Sequence, residues 1–269
     1  MKIAALQTVS GTSVEDNLRA ADRLLRQAAA AGAELAVLPE YFCVMGQRDT
    51  DKLAVREAFG DGPVQSFLAQ AARTLGLWIV GGTLPLRAGD EHHVRNASLA
   101  FSPQGECVAR YDKIHLFRFD NGREQYDESR VIDAGGTPQA FTLRSRDGHG
   151  WRIGLSVCYD LRFPELYRAL GADLLLVPSA FTWTTGQAHW EVLLRARAVE
   201  NLAYVAAPAQ GGRHENGRRT WGHSMVVDPW GGVLAQRAED GEGVVLAELD
   251  AARLAEVRSQ LPALAHRVL

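Results

Sequence analysis

The sequence predicts an α/β or α+β fold in which helices cover mixed β-sheets. Two observations predict it: apolar segments of strand length alternate with segments of helical periodicity, and two strand pairs are joined by tight turns. The chain has 269 residues, a formal net charge of −3 and 46% hydrophobic residues. This composition is ordinary for a globular protein. It offers no broadly basic surface for nucleic acid or for an anionic membrane.

The N-terminal part predicts a regular alternation of strands and helices. Residues 2–7 form an apolar strand pattern, and Ser13 is placed three residues before Asp16 to cap a helix that ends at Gly32. The apolar residues of that helix recur at helical spacing: Leu18, Ala21, Leu25 and Ala28. Buried strands are predicted at residues 34–38 and 77–80, with a helix at residues 64–75 between them.

The remainder adds antiparallel pairs. Residues 96–101 and 107–111 flank one Pro- and Gly-containing turn, and residues 225–227 and 233–235 flank another. Strands are also predicted at residues 152–157 and 174–177, and helices at residues 164–170 and 190–201. No linker or repeat divides the chain, so we expect one domain over residues 1–269. Because no apolar stretch has the length of a signal peptide or a membrane span, we expect a cytoplasmic protein.

Three chemically complementary residues follow predicted strands. Glu40, Lys113 and Cys158 come directly after the strands at residues 34–38, 107–111 and 152–157. Side chains at the carboxyl ends of strands line the ligand crevice of helix-covered sheets. A thiolate is a nucleophile, a carboxylate can move its proton, and an ammonium can stabilise an oxyanion. The sequence therefore predicts a nucleophilic site formed by these three residues.

Other interpretations of these residues stay open. A free cysteine after a buried strand is often only a small apolar residue, which is also how we interpret Cys43 and Cys107. A cysteine–histidine hydrolase would pair Cys158 with His189 or His223, and a non-catalytic binding protein would need none of the three residues. Three cysteines are too few for a disulfide framework or a zinc cage. We expect no metal and no cofactor.

Three segments then resemble the signature segments of the nitrilase, or carbon–nitrogen hydrolase, superfamily, in the order of that family. They are Leu38-Pro39-Glu40, residues 111–116 with the sequence YDKIHL, and residues 157–165 with the sequence VCYDLRFPE. The resemblance covers nearly the whole chain and implies a four-layer α-β-β-α sandwich. It implies that Glu40 is the general base, Lys113 the oxyanion cation and Cys158 the nucleophile.

The resemblance also implies supporting residues. The family's second glutamate matches Glu128, with Glu124 nearby as the alternative, and the backbone N–H of Tyr159 would bind the oxyanion. Phe181 and Thr185 follow a predicted strand end and are candidates for lining the pocket. Arginine suits a carboxylate-bearing substrate. The candidates for that role are Arg162 and Arg213.

Further segments, among them residues 178–191 and 222–231, resemble the Nit-type amidase branch of this superfamily. The expected activity is hydrolysis of a small carboxamide to a carboxylic acid and ammonia through a thioester on Cys158. Within that branch the sequence is most similar to deaminated-glutathione amidase. The alternatives are ω-amidase, which acts on α-ketoglutaramate, and nitrile or carbamoyl hydrolysis. The resemblance further implies a homodimer or higher homo-oligomer.

Overall fold

The computed structural model describes residues 1–268; Leu269, the last residue of the expected domain, lies outside them. The strands are β1 (Lys2–Gln7), β2 (Leu35–Val37), β3 (Trp78–Val80), β4 (Leu84–Arg87), β5 (Val94–Phe101), β6 (Cys107–Asp112), β7 (Arg118–Asp120), β8 (Gln125–Asp127), β9 (Gln139–Arg144), β10 (Gly150–Leu155), β11 (Leu174–Leu176), β12 (Tyr204–Ala207), β13 (Gly211–Arg213), β14 (Arg219–Trp221), β15 (Met225–Val227), β16 (Val233–Gln236) and β17 (Gly243–Glu248). The α-helices are α1 (Val14–Ala30), α2 (Asp51–Ala54), α3 (Pro63–Leu75), α4 (Pro164–Leu170), α5 (Trp183–Asn201) and α6 (Ala251–Gln260). Short 3-10 helices lie at Glu128–Arg130, Cys158–Arg162 and Ala263–His266.

Two large mixed sheets organise these elements. The first has the strand order β17-β1-β2-β3-β5-β4, with β6 also paired to β5. The second has the order β16-β15-β12-β11-β10-β9. In each sheet three central strands are parallel, β1-β2-β3 and β10-β11-β12, and the flanking pairs are antiparallel. The predicted combination of mixed sheets and covering helices is confirmed.

The side-chain alternation of β1 shows how the layers stack. Ile3 and Ala5 lie in the core that the first sheet shares with the second, whereas Ala4 and Leu6 pack in the core beneath α1 and α3. On the far side of the second sheet, α4 contacts β10 and α5 contacts β12 and β15. The order is therefore helices, sheet, sheet, helices. Across residues 1–268, none of the helices has both the length and the apolar character needed to cross a bilayer.

Two predicted boundaries are wrong. The helix predicted at residues 190–201 begins at Trp183, and the N–H of Gly186 closes its first turn on the Thr182 carbonyl at 2.8 Å. Gly186 lies against Trp221, where a Cβ would be 2.3 Å from the Trp221 Cβ. The strand predicted at residues 152–157 ends at Leu155. The N–H of Val157 donates to the Asp160 carboxylate at 2.8 Å instead of to a neighbouring strand.

Candidate active site

Glu40 lies in the loop after β2 and is almost completely buried, with 1% of its surface exposed. Its Oε1 accepts hydrogen bonds from Lys113 Nζ at 2.8 Å and Asn96 Nδ2 at 3.0 Å. Its Oε2 accepts one from the backbone N–H of Ala180 at 3.0 Å. Donors from three separate chain segments therefore fix both oxygens of this carboxylate.

The backbone around Glu40 depends on an unusually close approach to the loop after β3. Tyr41 has a φ of +57°, and its N–H donates to Thr83 Oγ1 at 2.9 Å. Gly82 has a φ of +47°, and a Cβ there would lie 1.9 Å from the carbonyl oxygen of Pro39. Only glycine fits this position, so Gly82 helps to place Glu40.

Lys113 follows β6 directly and joins two carboxylates. Its Nζ lies 2.8 Å from Glu40 Oε1 and 2.8 Å from Glu128 Oε2. Burial opposes the charge, but Glu128 and Glu40 outweigh it and raise the pKa of Lys113. Glu128 also accepts hydrogen bonds from the Tyr41 hydroxyl and the Phe117 N–H, both at 2.7 Å. Burial alone would raise the pKa of Glu128, but the charge of Lys113 and these hydrogen bonds lower it.

Cys158 begins the 3-10 turn that follows β10, and its φ of +49° is in the left-handed region. A non-glycine residue there is strained and persists only where its surroundings hold it. Burial raises the pKa of the Cys158 thiol, Glu40 raises it further, and Lys113 opposes the effect. Burial and the neighbouring Glu40 carboxylate therefore both disfavour the thiolate form of Cys158, and Lys113 favours it.

Asp160 holds the turn that carries Cys158. Its Oδ2 accepts from the Val157 N–H at 2.8 Å and the Tyr111 hydroxyl at 2.7 Å. Its Oδ1 accepts from the N–H of His115 at 3.0 Å and lies 2.7 Å from His115 Nδ1. Asp160 is fully buried, so these contacts replace its hydration. They tie the Cys158 turn to the segment that carries Lys113.

A small cavity opens beside the thiol. Its volume is about 20 Å³, which is room for one or two water molecules. The lining residues include Phe117, Cys158, Tyr159, Arg162, Phe181 and Thr185. The structure thus places three of the four predicted substrate-binding residues around Cys158. The Arg162 guanidinium lies over the Phe181 ring at 5.5 Å and contacts His189 at 3.2 Å.

Arg213, the fourth, is placed elsewhere. It is exposed on β13 and lines a different cavity, beside Ser10 and Glu215. Glu124 is half-buried and accepts a hydrogen bond from Thr184 at 2.9 Å, whereas Glu128 is the glutamate that contacts Lys113.

The histidines of the rival interpretation make other contacts. His189 is exposed, and His223 stacks on Trp221 with ring centroids 4.0 Å apart. The residues that surround the buried Cys158 thiol electrostatically are Glu40, Lys113 and Glu128. Within residues 1–268, no three or more His, Cys, Asp or Glu side chains form a group that could hold a metal ion.

Sequence reasoning missed two buried polar residues of the site, Asn96 and Asp160. Asn96 was a possible signal, because it is a polar residue at the start of an otherwise apolar predicted strand. Asp160 lies in the charged and aromatic segment after Cys158, but no local pattern distinguishes it from its neighbours. Its partners Tyr111 and His115 are 49 and 45 residues away in sequence.

Comparisons with known proteins agree with this geometry. Residues 2–259 match the family model described as carbon-nitrogen hydrolase. A relative from Synechocystis sp. named deaminated glutathione amidase is 42% identical, over 98% of this chain and 97% of its own length. The crystal structure of the Caenorhabditis elegans NitFhit protein has a TM-score of 0.89 and 38% identity over 99% of this chain; the present chain spans 65% of that protein.

A third similarity concerns the nucleophile of another enzyme. A structure of an amidase from Nesterenkonia sp., 29% identical with a TM-score of 0.79, covers 97% of this chain and 98% of its own. It shows the addition of acrylamide at that enzyme's active-site cysteine. Because the family model matches residues 2–259 and a relative matches 98% of the chain, this chain belongs to the carbon–nitrogen hydrolase family.

Proposed function

We propose that this chain is a thiol amidase that hydrolyses deaminated glutathione through a thioester on Cys158. Hydrolytic amidase activity follows from the family and from amidase relatives that match 98% of the chain. The observation that carries the catalytic proposal is the buried network in which Lys113 joins Glu40 and Glu128 beside the Cys158 thiol. The substrate is proposed from the names of the full-length relatives.

In the first half of the proposed reaction, the Cys158 sulfur attacks the amide carbon while Glu40 takes the thiol proton. The Lys113 ammonium and the Tyr159 N–H stabilise the oxyanion. The N–H groups of Cys158 and Asp160 already donate to Pro178 and Val157 at 3.0 Å, which supports Tyr159 as the donor. As the carbon–nitrogen bond breaks, Glu40 passes its proton to the leaving nitrogen.

In the second half, Glu40 takes a proton from water as the water oxygen attacks the thioester. The carbon–sulfur bond then breaks, the carboxylic acid leaves and the proton returns to Cys158. Glu128 does not reach the sulfur in this scheme; it holds the Lys113 ammonium in place through its two oxygens, 2.8 and 3.0 Å away. Arg162, Phe181 and Thr185 are proposed to contact the bound substrate, because they line the cavity that contains Cys158.

The leaving group depends on the substrate. A primary carboxamide such as α-ketoglutaramate releases ammonia, which is the leaving group expected from the sequence. The amide bonds of glutathione are peptide bonds, so deaminated glutathione would release a dipeptide with a new amino group. The test is a comparison of the two substrates, with an amine-reactive fluorophore for the dipeptide and an enzymatic assay for ammonia.

We expect a kcat/KM for deaminated glutathione more than tenfold above that for α-ketoglutaramate. The reverse preference would favour the ω-amidase alternative. Cys158→Ala should abolish both activities without unfolding the protein. Retention of full activity in that variant would contradict the proposed mechanism.

Further proposals concern assembly and location. A homodimer or higher homo-oligomer is supported by apolar side chains left exposed on and near α5, including Val192, Val199 and Trp230. Sedimentation of the wild type and of Val192→Glu tests it; a wild-type monomer at micromolar concentration would contradict it. One domain over residues 1–269 and a cytoplasmic location stay predictions, for which limited proteolysis and cell fractionation are the measurements.

A further inference from the structure

A second small cavity adjoins the candidate active site, and Phe117 is in the lining of both. Its volume is also about 20 Å³, and its charged lining residues are Lys52, Arg218, Asp49, Asp127 and Glu128; Tyr41 lines it as well. Glu128 connects the two regions, because it binds Lys113 through both oxygens and Tyr41 through one. The second cavity is therefore one side chain away from the proposed reaction centre.

Two cations share this cavity. Lys52 is buried, with 8% of its surface exposed, and its Nζ lies 4.9 Å above the Tyr41 ring. The Arg218 guanidinium lies 5.0 Å from the centre of the Tyr126 ring. Burial lowers the pKa of Lys52; Asp49 opposes that effect, and Arg218 adds to it. Lys52 and Arg218 are thus close enough to repel each other.

The surrounding carboxylates leave this pair incompletely neutralised. Asp49 Oδ1 is 3.4 Å from Lys52 Nζ, longer than the 2.7–2.9 Å of a strong charge-assisted hydrogen bond. Among residues 1–268, no carboxylate lies within 4.0 Å of the Arg218 guanidinium, whose Nη1 donates a long hydrogen bond to Met45 Sδ at 3.8 Å. Glu128 is shared, because both of its oxygens bind Lys113 while its charge also raises the pKa of Lys52. An additional anion would therefore find unused donors here.

We propose that Lys52 and Arg218 form a subsite for a carboxylate of the amide substrate. This inference rests on the proposed amidase function and deepens it. Deaminated glutathione keeps both carboxylates of glutathione and loses its amino group, so it is strongly anionic. Arg162 lines the cavity beside Cys158, and the Lys52–Arg218 pair lines the second cavity, which shares Phe117 with the first. A substrate with its amide at Cys158 would extend along Phe117 and place a distal carboxylate between the two cations.

The kinetic test uses two amides of the same chain length, glutaramate with a terminal carboxylate and neutral pentanamide. Arg218→Gln and Lys52→Gln remove one charge each. Arg213→Gln is the matched control, because it removes an exposed arginine of the same β13–β14 hairpin outside the subsite. We expect each subsite variant to raise KM for glutaramate by about 10- to 100-fold, the range of a lost charge-assisted hydrogen bond. Activity on pentanamide, and the control on both substrates, should be unchanged.

Equal losses on both amides, or the same loss in the Arg213→Gln control, would overturn the subsite. A binding measurement separates this inference from the catalytic proposal. Calorimetry of deaminated glutathione with Cys158→Ala, with and without Arg218→Gln, requires no turnover. A dissociation constant that Arg218→Gln leaves unchanged would contradict the subsite even if hydrolysis were confirmed. A weakened constant in an enzyme that hydrolyses neither amide would support the subsite and contradict the proposed function.

Discussion

The carboxylate of Asp160 offers a sharp test of how the Cys158 turn is held. The substitution Asp160→Asn keeps the shape of the side chain but replaces one oxygen with an NH2 group. Each Asp160 oxygen faces two donor groups, Val157 and Tyr111 on one side and the N–H and ring nitrogen of His115 on the other. In either orientation, the asparagine turns its NH2 group toward one of these pairs, where the backbone N–H of Val157 or of His115 loses its acceptor. The other member of the pair, the Tyr111 hydroxyl or the His115 ring nitrogen, can accept from the NH2 group instead.

The magnitude follows from the one backbone N–H that is left without an acceptor. A hydrogen bond to a charged group contributes about 1.5–3 kcal/mol, so losing one at a fully buried site should cost about 1.5–3 kcal/mol. That is a substantial share of the roughly 5–15 kcal/mol that stabilises a typical domain. Because the left-handed turn at Cys158 is tied down by this carboxylate, we also expect kcat to fall by about 100-fold or more.

The assay is urea unfolding followed by circular dichroism, together with steady-state kinetics. The matched control is Asp147→Asn, which removes a carboxylate that also accepts from a side chain and a backbone N–H but lies exposed. The control should stay within about 0.5 kcal/mol of the wild type. If Asp160→Asn behaved like the control in both stability and kcat, the reasoning about the Cys158 turn would be refuted.

Three further predictions concern the buried groups. Lys113→Met leaves Glu40 and Glu128 without their shared cation. It should lower the free energy of unfolding by about 3–5 kcal/mol, measured by urea unfolding, and kcat/KM by about 100-fold or more, measured by steady-state kinetics. Gly82→Ala should destabilise the fold by about 1 kcal/mol or more and reduce kcat, because the new Cβ would meet the Pro39 carbonyl. Burial raises the pKa of the Cys43 and Cys158 thiols in the folded state, so above about pH 8.5 only the unfolded chain loses these protons. The free energy of unfolding should therefore fall with rising pH, by up to about 1.4 kcal/mol per pH unit for each thiol. Unfolding measurements between pH 8 and 10 test this.

Each of these has an outcome that would contradict it. A Lys113→Met protein with wild-type kcat/KM would exclude Lys113 from the oxyanion site. Gly89→Ala is the control for Gly82→Ala, because a Cβ there meets no atom within 4 Å; equal losses in the two variants would remove the steric argument. Cys43→Ala should remove the contribution of one thiol from the pH dependence of the free energy of unfolding between pH 8 and 10. An unchanged pH dependence would show that Cys43 does not contribute.

Local sequence patterns were sufficient to predict an element where its capping residue and apolar spacing lie within the same segment. The Ser13 side chain accepts from the Asp16 N–H, and α1 spans the predicted apolar periodicity. The apolar run in residues 2–7 likewise predicts strand β1, whose alternate side chains are buried in the two cores. Glu40, Lys113 and Cys158 could be grouped because each follows a strand of a mixed sheet. The structure places Glu40 and Lys113 in contact and Cys158 within their electrostatic influence.

Local sequence patterns could not predict the element boundaries and site contacts that depend on residues outside the local pattern. The first turn of α5 packs Gly186 against Trp221, 35 positions later in the sequence, and the end of β10 depends on a side chain in the following turn. Glu124 and Glu128 are equally good candidates by spacing. They separate only because the fold around the β7–β8 hairpin places Glu128 against Lys113 and Glu124 against Thr184.

The arginines illustrate the same limit. Arg213 and Arg218 are five positions apart in one hairpin region, and both suit a carboxylate by residue type. The structure directs Arg218 to the cavity that contains Glu128 and Arg213 to another cavity. Sequence spacing carries no information about this choice, because it depends on how the hairpin packs against the segment that contains Lys52 in α2.

The most direct test of the account is to trap the covalent intermediate and locate it. The enzyme is mixed with deaminated glutathione, quenched in acid within the first turnover, digested and examined by mass spectrometry. We predict an acyl adduct on the peptide that contains Cys158, retained in a Cys43→Ala/Cys107→Ala variant and lost in Cys158→Ala. Normal turnover with no adduct at Cys158, or an adduct on another residue, would contradict the central claim that Cys158 is the nucleophile.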